Sequence, residues 1–305
     1  TGDPINLNNK EVLDARIDLK FPIEFSRIYN SNSKDVGKLG IAWSSDIDKK
    51  VRIPVLNNPS NGVMFSFSSY TASDGTTQYF PANLSNTTWI QVQDGTNDDL
   101  FFKRTSPNDS WMPAFENYNG YSLVNNNGLI ILTKPNGDII NYDEKTGYII
   151  SEKFKNGSYL NYYYTGNQLT KIMNNFGQWI GFTYSNYADV ITQITASNGD
   201  TVQYGYTNGY LTQATYNGTE NYTYVYNNNG LIIDKYDENN QHYTHYDYDS
   251  QNRPIVNYMF DKEGNQINRS DINYSNNSYI AETKQNGNII SMFHKELMNK
   301  VNLNY

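Results

Sequence analysis

Hydrophobic and polar residues alternate in short runs along most of the chain. Arg16-Ile17-Asp18-Leu19-Lys20-Phe21 and Ile23-Glu24-Phe25-Ser26-Arg27-Ile28-Tyr29 each put every second side chain on one face, the pattern of half-buried strands. Pro22 between them marks a break or an edge position. A polar, glycine-containing loop over 30–40 precedes Ile41-Ala42-Trp43. Further strands are predicted at Val63–Tyr70, Thr87–Val92, Leu100–Lys103 and Leu129–Leu132. Helical spacing is scarce, with its best instance at Ile290–Val301; the carboxy-terminal sheet edge is expected to be open or covered by a makeshift cap such as this segment.

The runs are punctuated by turn chemistry. Ten Asn-Gly pairs begin at Asn61, Asn119, Asn127, Asn136, Asn156, Asn198, Asn208, Asn217, Asn229 and Asn286. Such pairs suit type I′ hairpin turns, whose two central residues both need positive φ. From about residue 135 a repeat emerges. Gly137, Gly157, Gly177, Gly199 and Gly218 are spaced 20, 20, 22 and 19 apart, Gly264 and Gly287 continue the series, and Asn240 stands where another glycine would fit. Behind these anchors come Tyr142, Tyr162/Tyr164, Phe182/Tyr184, Tyr204/Tyr206, Tyr224/Tyr226 and Tyr246/Tyr248. Alternation assigns each pair to one sheet face, and the pairs are expected side by side on neighbouring strands. Each aromatic strand is followed by a second strand such as Leu169-Thr170-Lys171-Ile172 or Ile191-Thr192-Gln193-Ile194. Apolar residues three apart fall on opposite faces of a regular strand, so a bulge or two-sided burial is expected there. The unit is a hairpin of about 20 residues that must stack on its neighbours, because a lone hairpin is marginal in water.

This organisation predicts an all-β chain in two parts: a non-repeating β domain over 1–134 and a hairpin-repeat array over 135–305, forming a curved, spiralling antiparallel sheet. Composition agrees: 28 of the 305 residues are Tyr, a strand former, while disordered chains are poor in aromatics. A net charge of -8 argues against a nucleic-acid phosphate binder. No apolar run reaches the length of a membrane helix. The absence of Cys excludes disulfides and thiolate metal sites. The chain opens at Thr1 without a signal segment and is read as a fragment of something longer.

Candidate chemistry is sparse. His242 and His245 lie three apart, a strand spacing that assigns them to opposite faces, so no metal site or cofactor is expected. The acidic pairs Asp46/Asp48, Asp98/Asp99 and Asp237/Glu238 sit beside turn residues, where Asp serves backbone hydrogen bonding. No catalytic residues are assigned, and the chain is read as a non-enzyme.

Tyr142-Asp143 followed by Lys145-Thr146-Gly147-Tyr148-Ile149, and Tyr246-Asp247-Tyr248-Asp249 followed by Asn252-Arg253-Pro254, resemble the YD repeat of bacterial Rhs proteins. Other copies replace the Asp, as in Tyr164-Thr165, Tyr184-Ser185 and Tyr206-Thr207. Independently, Asp3-Pro4, Phe21-Pro22-Ile23-Glu24-Phe25-Ser26-Arg27-Ile28-Tyr29 and Leu39-Gly40-Ile41-Ala42-Trp43 resemble the segment that opens an Rhs shell. The resemblance implies a hollow β-sheet cocoon around a carboxy-terminal toxin, often delivered by type VI secretion, with relatives in Tc complexes and teneurins. It implies as partners the remaining shell, a toxin cargo and a secretion-system component, and delivery to the bacterial surface or exterior. Nothing in Ile290–Tyr305 resembles the family's plug or toxin, so both are expected downstream. The alternative reading is a cell-surface glycan-binding repeat module. Such modules rely on Trp, and only Trp179 of Trp43, Trp89, Trp111 and Trp179 falls in the repeats.

Overall fold

The computed structural model describes residues 5–52, 54–57, 64–67, 69–71, 77–79, 87–93, 99–186, 188–274, 278–285 and 288–296. Among these the chain is all-β, with two single-turn 3-10 segments at Asp46–Asp48 and Glu116–Tyr118. Seventeen strands, from Ser122–Asn126 to Asn288–Glu296, form one antiparallel sheet in strict sequence order. Every strand in it therefore pairs with its neighbours along the chain. A four-stranded sheet (Ile5–Asn6, Glu11–Leu19, Phe25–Asn30, Trp43–Ser45) and a second one (Met112–Pro113, Asp99–Lys103, Trp89–Gln93, Lys50–Arg52) precede it.

The Asn-Gly pairs divide by geometry. Asn127, Asn208 and Asn217 take positive φ together with the following glycine, as a type I′ turn requires. At Asn119, Asn136, Asn156, Asn198 and Asn229 only the glycine does. In four of these five the glycine N–H bonds the carbonyl three residues back, as Gly137 does to Lys134 at 2.9 Å and Gly157 to Phe154 at 2.9 Å. These are three-residue loops, a type I turn closed by a left-handed residue, which accommodate one residue more than the I′ form. Asn240 takes the same position with φ 58°, so it does the work of the glycine it replaces. Asn61 and Asn286 lie outside the described residues.

Bulges stand where apolar residues three apart required them. Tyr163 pairs with Lys171 but Tyr164 with Leu169, leaving Thr170 as the extra residue; the same shift occurs at Thr192 and Thr212. The shift brings Leu169 and Ile172, Ile191 and Ile194, Leu211 and Ala214 to one buried face. Each bulged threonine donates its hydroxyl to a carbonyl of the opposite strand: Thr170 to Tyr163 at 3.0 Å, Thr192 to Thr183 at 3.2 Å and Thr212 to Gly205 at 3.2 Å. The hydroxyl thus serves an acceptor that the disturbed ladder would leave short of a partner.

Two expectations need correction. The aromatic pairs occupy alternate strands, because each hairpin interposes a strand that places Ile172, Ile194 or Ala214 opposite Tyr162, Phe182 or Tyr204. The helix candidate Ile290–Val301 is not helical over its described residues: Asn288–Glu296 is a strand paired along its length with Ser278–Gln285. Tertiary pairing with a waiting strand edge overrides a weak helical spacing. Residues 297–301 lie outside the described residues.

Candidate functional site: a buried seam on the tyrosine face

The amino-terminal hairpins cover one face of the long sheet, and the core runs along that contact. Phe25, Tyr29 and Trp43 are buried against aromatic rings of the repeats: Phe25 on Phe182 (centroids 5.9 Å), Trp43 on Tyr224 (5.3 Å) and Tyr29 on Tyr226 (6.4 Å). The strands Glu11–Leu19 and Phe25–Asn30 pair antiparallel, with Arg16 opposite Arg27. Their alternation sends Asp14, Asp18, Arg27 and Tyr29 towards the sheet.

Arg27 is the centre of the seam. Its side chain and that of Asp18 are fully buried, with Nε 2.7 Å from Asp18 Oδ2. Arg27 Nη2 donates to Tyr224 Oη at 2.8 Å, and the guanidinium lies 4.6 Å from the Trp43 ring centroid. Tyr204 and Tyr216 both donate their hydroxyls to the Asp18 carboxylate. Trp43 Nε1 donates to Tyr226 Oη at 3.0 Å, and Tyr29 Oη accepts the Ile232 N–H at 3.1 Å. A second buried pair joins Lys235 to Asp14 at 3.2 Å. Glu152 at the other end accepts from Tyr162 Oη at 2.7 Å and pairs with Lys49 at 2.6 Å.

Burial sets the electrostatics. It opposes the Arg27 charge, but Asp18 together with Tyr224, Tyr216 and Tyr204 outweighs it, so the guanidinium is held even more firmly protonated than usual. Burial also opposes ionisation of Asp14, but Lys235, with Arg16 and Arg27 behind it, keeps that carboxyl below its ordinary range. Burial pushes the Tyr224 hydroxyl up to about 12, and Tyr162, Tyr204 and Tyr226 well above their usual value. These phenols stay neutral: Tyr162, Tyr204 and Tyr226 donate from their hydroxyls, and Tyr224 accepts from Arg27.

The two tyrosines of each repeat do different things. The first (Tyr142, Tyr162, Tyr204, Tyr224, Tyr246, with Phe182 in one copy) is buried in the seam. The second reaches back to the preceding hairpin and donates to the carbonyl at its bulge: Tyr184 to Leu169 at 3.0 Å, Tyr206 to Ile191 at 2.6 Å, Tyr226 to Leu211 at 2.7 Å, Tyr248 to Ile232 at 2.8 Å. Tyr274 does the same to Pro254 at 2.9 Å. Tyr164 instead stacks on Tyr148 at 5.3 Å. This staple was not visible in the sequence, although its period of 20 to 22 residues was.

The other marked residues serve turns. Asp143 accepts the N–H groups of Lys145 (3.0 Å) and Thr146 (2.7 Å). In the later copy that task falls to Asp249, which binds Gln251 and Arg253 N–H at 2.9 Å each, whereas Asp247 approaches His245. Gly40 has φ 95°, and a Cβ there would lie 2.6 Å from the Gly209 carbonyl oxygen. Asp3 and Pro4 lie outside the described residues. Asp46 and Asp48 accept from Ser26 and Ser45, and Asp237 from Asn239 and Gln241. A cavity of about 400 Å³ beside Pro22 and Tyr159 is lined by Asp46 and Glu152, both already engaged as described.

The histidines require a further correction. His242, His245 and Asp234 converge, with their ligand-type atoms all within 4.8 Å of one another. The cause is a bulge: Tyr236 pairs with His242 but Lys235 with Thr244, so Tyr243 is an extra residue that resets the alternation.

A family described as a domain of unknown function, DUF6531, matches residues 2–67. That span contains Asp18, Arg27, Tyr29, Gly40 and Trp43. No curated protein matches the chain. Among solved structures, the chain is similar to the crystal structure of TcdB2-TccC3-Cdc42 (10% identity, TM-score 0.40, 83% of this chain and 15% of that one). It is also similar to the crystal structure of TcdB2-TccC3-TEV (12% identity, TM-score 0.32, 90% and 17%). A third similarity is to a Tc holotoxin pore of Photorhabdus luminescens (10% identity, TM-score 0.23, 79% and 20%). This chain spans 15 to 20% of the length of those chains. At such scores the likeness carries no argument for a shared role.

Proposed function

We propose that this chain is a wall segment of an Rhs-type shell, whose task is to enclose and shield a cargo carried elsewhere in the same assembly. The supporting observation is the sheet itself: seventeen strands in sequence order, with four successive hairpins each stapled to the one before by a tyrosine hydroxyl on a bulge carbonyl. Such an arrangement can be lengthened by adding identical units and makes a surface rather than a cleft. The amino-terminal hairpins act as its buttress, held by the Asp18–Arg27 pair and the repeat tyrosines.

The uncovered face suits this role. Thr183, Gln193, Gln203 and Thr215 follow one another through cross-strand pairing, as do Gln213 and Thr223. Gln193 and Gln213 bond Thr195 (3.0 Å) and Thr215 (3.1 Å) on their own strands. Along these rows, amides and hydroxyls without formal charge give a wetted strip with little attraction for either sign of charge. On this reading the partners are the remaining shell and its cargo, and the location is outside the producing cell.

The test uses the complete natural polypeptide that contains this chain. Electron microscopy of single particles is expected to show a hollow body, and limited proteolysis to spare one enclosed segment. A solid or extended particle in which every segment is cleaved alike would overturn the reading. So would saturable binding of a polysaccharide to the Tyr-rich repeats without any enclosure.

A further inference from the structure

The one mixed cluster of His and carboxylate groups among the described residues lies on the sheet face away from the amino-terminal hairpins. Lys235 is buried against Asp14 on the covered side, and alternation sends its neighbour Asp234 to the other. Asp234 pairs directly with His245 across the two strands. Its Oδ1 is 2.6 Å from His245 Nδ1 and 2.8 Å from His242 Nε2.

We infer that Asp234, His242 and His245 form an exchangeable binding site for a divalent transition-metal ion of the Zn(II) class, with water completing the coordination. Two imidazole nitrogens and one carboxylate oxygen favour a borderline ion of this kind over Mg2+ or Ca2+, which prefer all-oxygen surroundings. Bonds of about 2.0–2.1 Å in a tetrahedral arrangement separate ligand atoms by roughly 3.3 Å. The Asp234 oxygen therefore needs to part from the two ring nitrogens by about 0.5–0.7 Å, while those nitrogens, within 4.8 Å of each other, settle to the same separation. Side-chain exposures of 18% for Asp234, 27% for His242 and 19% for His245 leave an open side for the ion and its water.

Three further features support a built site. The rings are held in place by aromatic neighbours: His242 by Tyr236 (centroids 4.8 Å, 22° between planes) and Phe260 (4.1 Å), and His245 by Tyr258 (4.8 Å, 26°). The remaining ring nitrogen of His245, Nε2, lies 3.2 Å from Asp247 Oδ1. A carboxylate on the nitrogen opposite the metal is the usual partner that orients a ligating histidine. The cation stacked on Tyr258, Arg269, is paired with Asp271 at 2.8 Å, which leaves the Asp234 charge for the ion. A bound ion would cross-link the strands Ile232–Tyr236 and His242–Tyr248 at the point where the bulge weakens their ladder.

The experiment is titration calorimetry of the full, chelator-stripped chain with ZnCl2, with MgCl2 as the comparison ion. CoCl2 is added separately to read ligand-field absorption. One Zn2+ per chain, a rise in melting temperature and Co2+ bands of a low-coordinate nitrogen/oxygen site are expected. Asp234→Asn and His245→Gln should each abolish the saturable binding, while His294→Gln should leave it unchanged. Asp247→Asn, at the exposed rim, should weaken it about 10- to 100-fold and serves as the readout if a ligand variant misfolds. Absence of one-to-one binding, or equal binding by parent and Asp247→Asn, would overturn the assignment.

Discussion

Removing the charge at the centre of the seam should loosen the whole amino-terminal buttress. Arg27→Met keeps much of the aliphatic length but leaves the fully buried Asp18 carboxylate facing only the Tyr204 and Tyr216 hydroxyls. Breaking a buried ion pair from one side costs about 3–5 kcal/mol. The two phenol donors that remain place this variant near the lower end, and losing the guanidinium from above Trp43 adds about 1–2 kcal/mol. Asp18→Asn should cost about as much, about 4–5 kcal/mol, because it strands the guanidinium as Arg27→Met strands the carboxylate. Arg27 would then keep only the tyrosine oxygens as acceptors, and its Nη1 already lacks a hydrogen-bond partner. The double variant should be milder than the sum by about 2–3 kcal/mol, since neither charge is left alone. Urea unfolding followed by tyrosine and tryptophan fluorescence measures these differences. With a slope of about 3 kcal/mol per molar urea, each single variant should shift the midpoint down by about 1.3–1.7 M. Single costs below about 1 kcal/mol, or strict additivity, would refute the picture of a dry, coupled pair.

Three other outcomes are expected. Tyr226→Phe removes the bonds to Leu211 and from Trp43 and should cost about 1–3 kcal/mol in the same unfolding assay, whereas the exposed Tyr163→Phe should stay within about 0.5. Gly40→Ala forces a Cβ against the Gly209 carbonyl at positive φ and should lower the melting temperature by several degrees in calorimetry, an effect of over about 1 kcal/mol. For pH, burial together with Arg52 pushes Lys50 down to about 8, so the unfolded chain binds the extra proton and stability should rise between pH 8 and about 10.5. Burial holds Tyr224 up at about 12, so above about pH 10 the unfolded chain loses a proton that the folded one keeps. Stability should then fall, with tyrosinate absorbance appearing only as the chain unfolds. Lys50→Met should erase the rise and leave the fall.

Local chemistry was legible in the sequence, and long-range chemistry was not. Alternation and turn residues located the hairpins, and Leu169/Ile172 or Ile191/Ile194 announced the bulges, because each signal lies within a few residues. The meeting of Arg27 with Tyr224 spans 197 residues and leaves no periodic trace in either segment. The histidines were misassigned for a related reason. A rule of strict alternation holds only in a regular ladder, and Tyr243 breaks it between them. Tyr-x-Tyr read as one aromatic face, yet a hydroxyl is also a donor, and its acceptor belongs to the previous hairpin. The terminal strand Asn288–Glu296 lost its identity to a helical spacing because its pairing partner, not its own composition, decides its state.

The tyrosine staple also has a mechanical meaning. Each one joins neighbouring strands of successive hairpins beyond the end of their ladder, as Tyr206 to Ile191 lies past the last pair Gln193–Gln203, so it adds a side-chain tie where the ladder joins the hairpins only edge to edge. Sliding one hairpin along its neighbour must break ladder bonds and staple together, and a register slip would carry the hydroxyl past its carbonyl. The sheet therefore resists shear as a woven fabric does, with the phenols as weft across a warp of strands. It can still bend about the strand axes at the bulges, where the ladder is loosest. A surface stiff in its plane but compliant out of it is one that can be rolled without being torn.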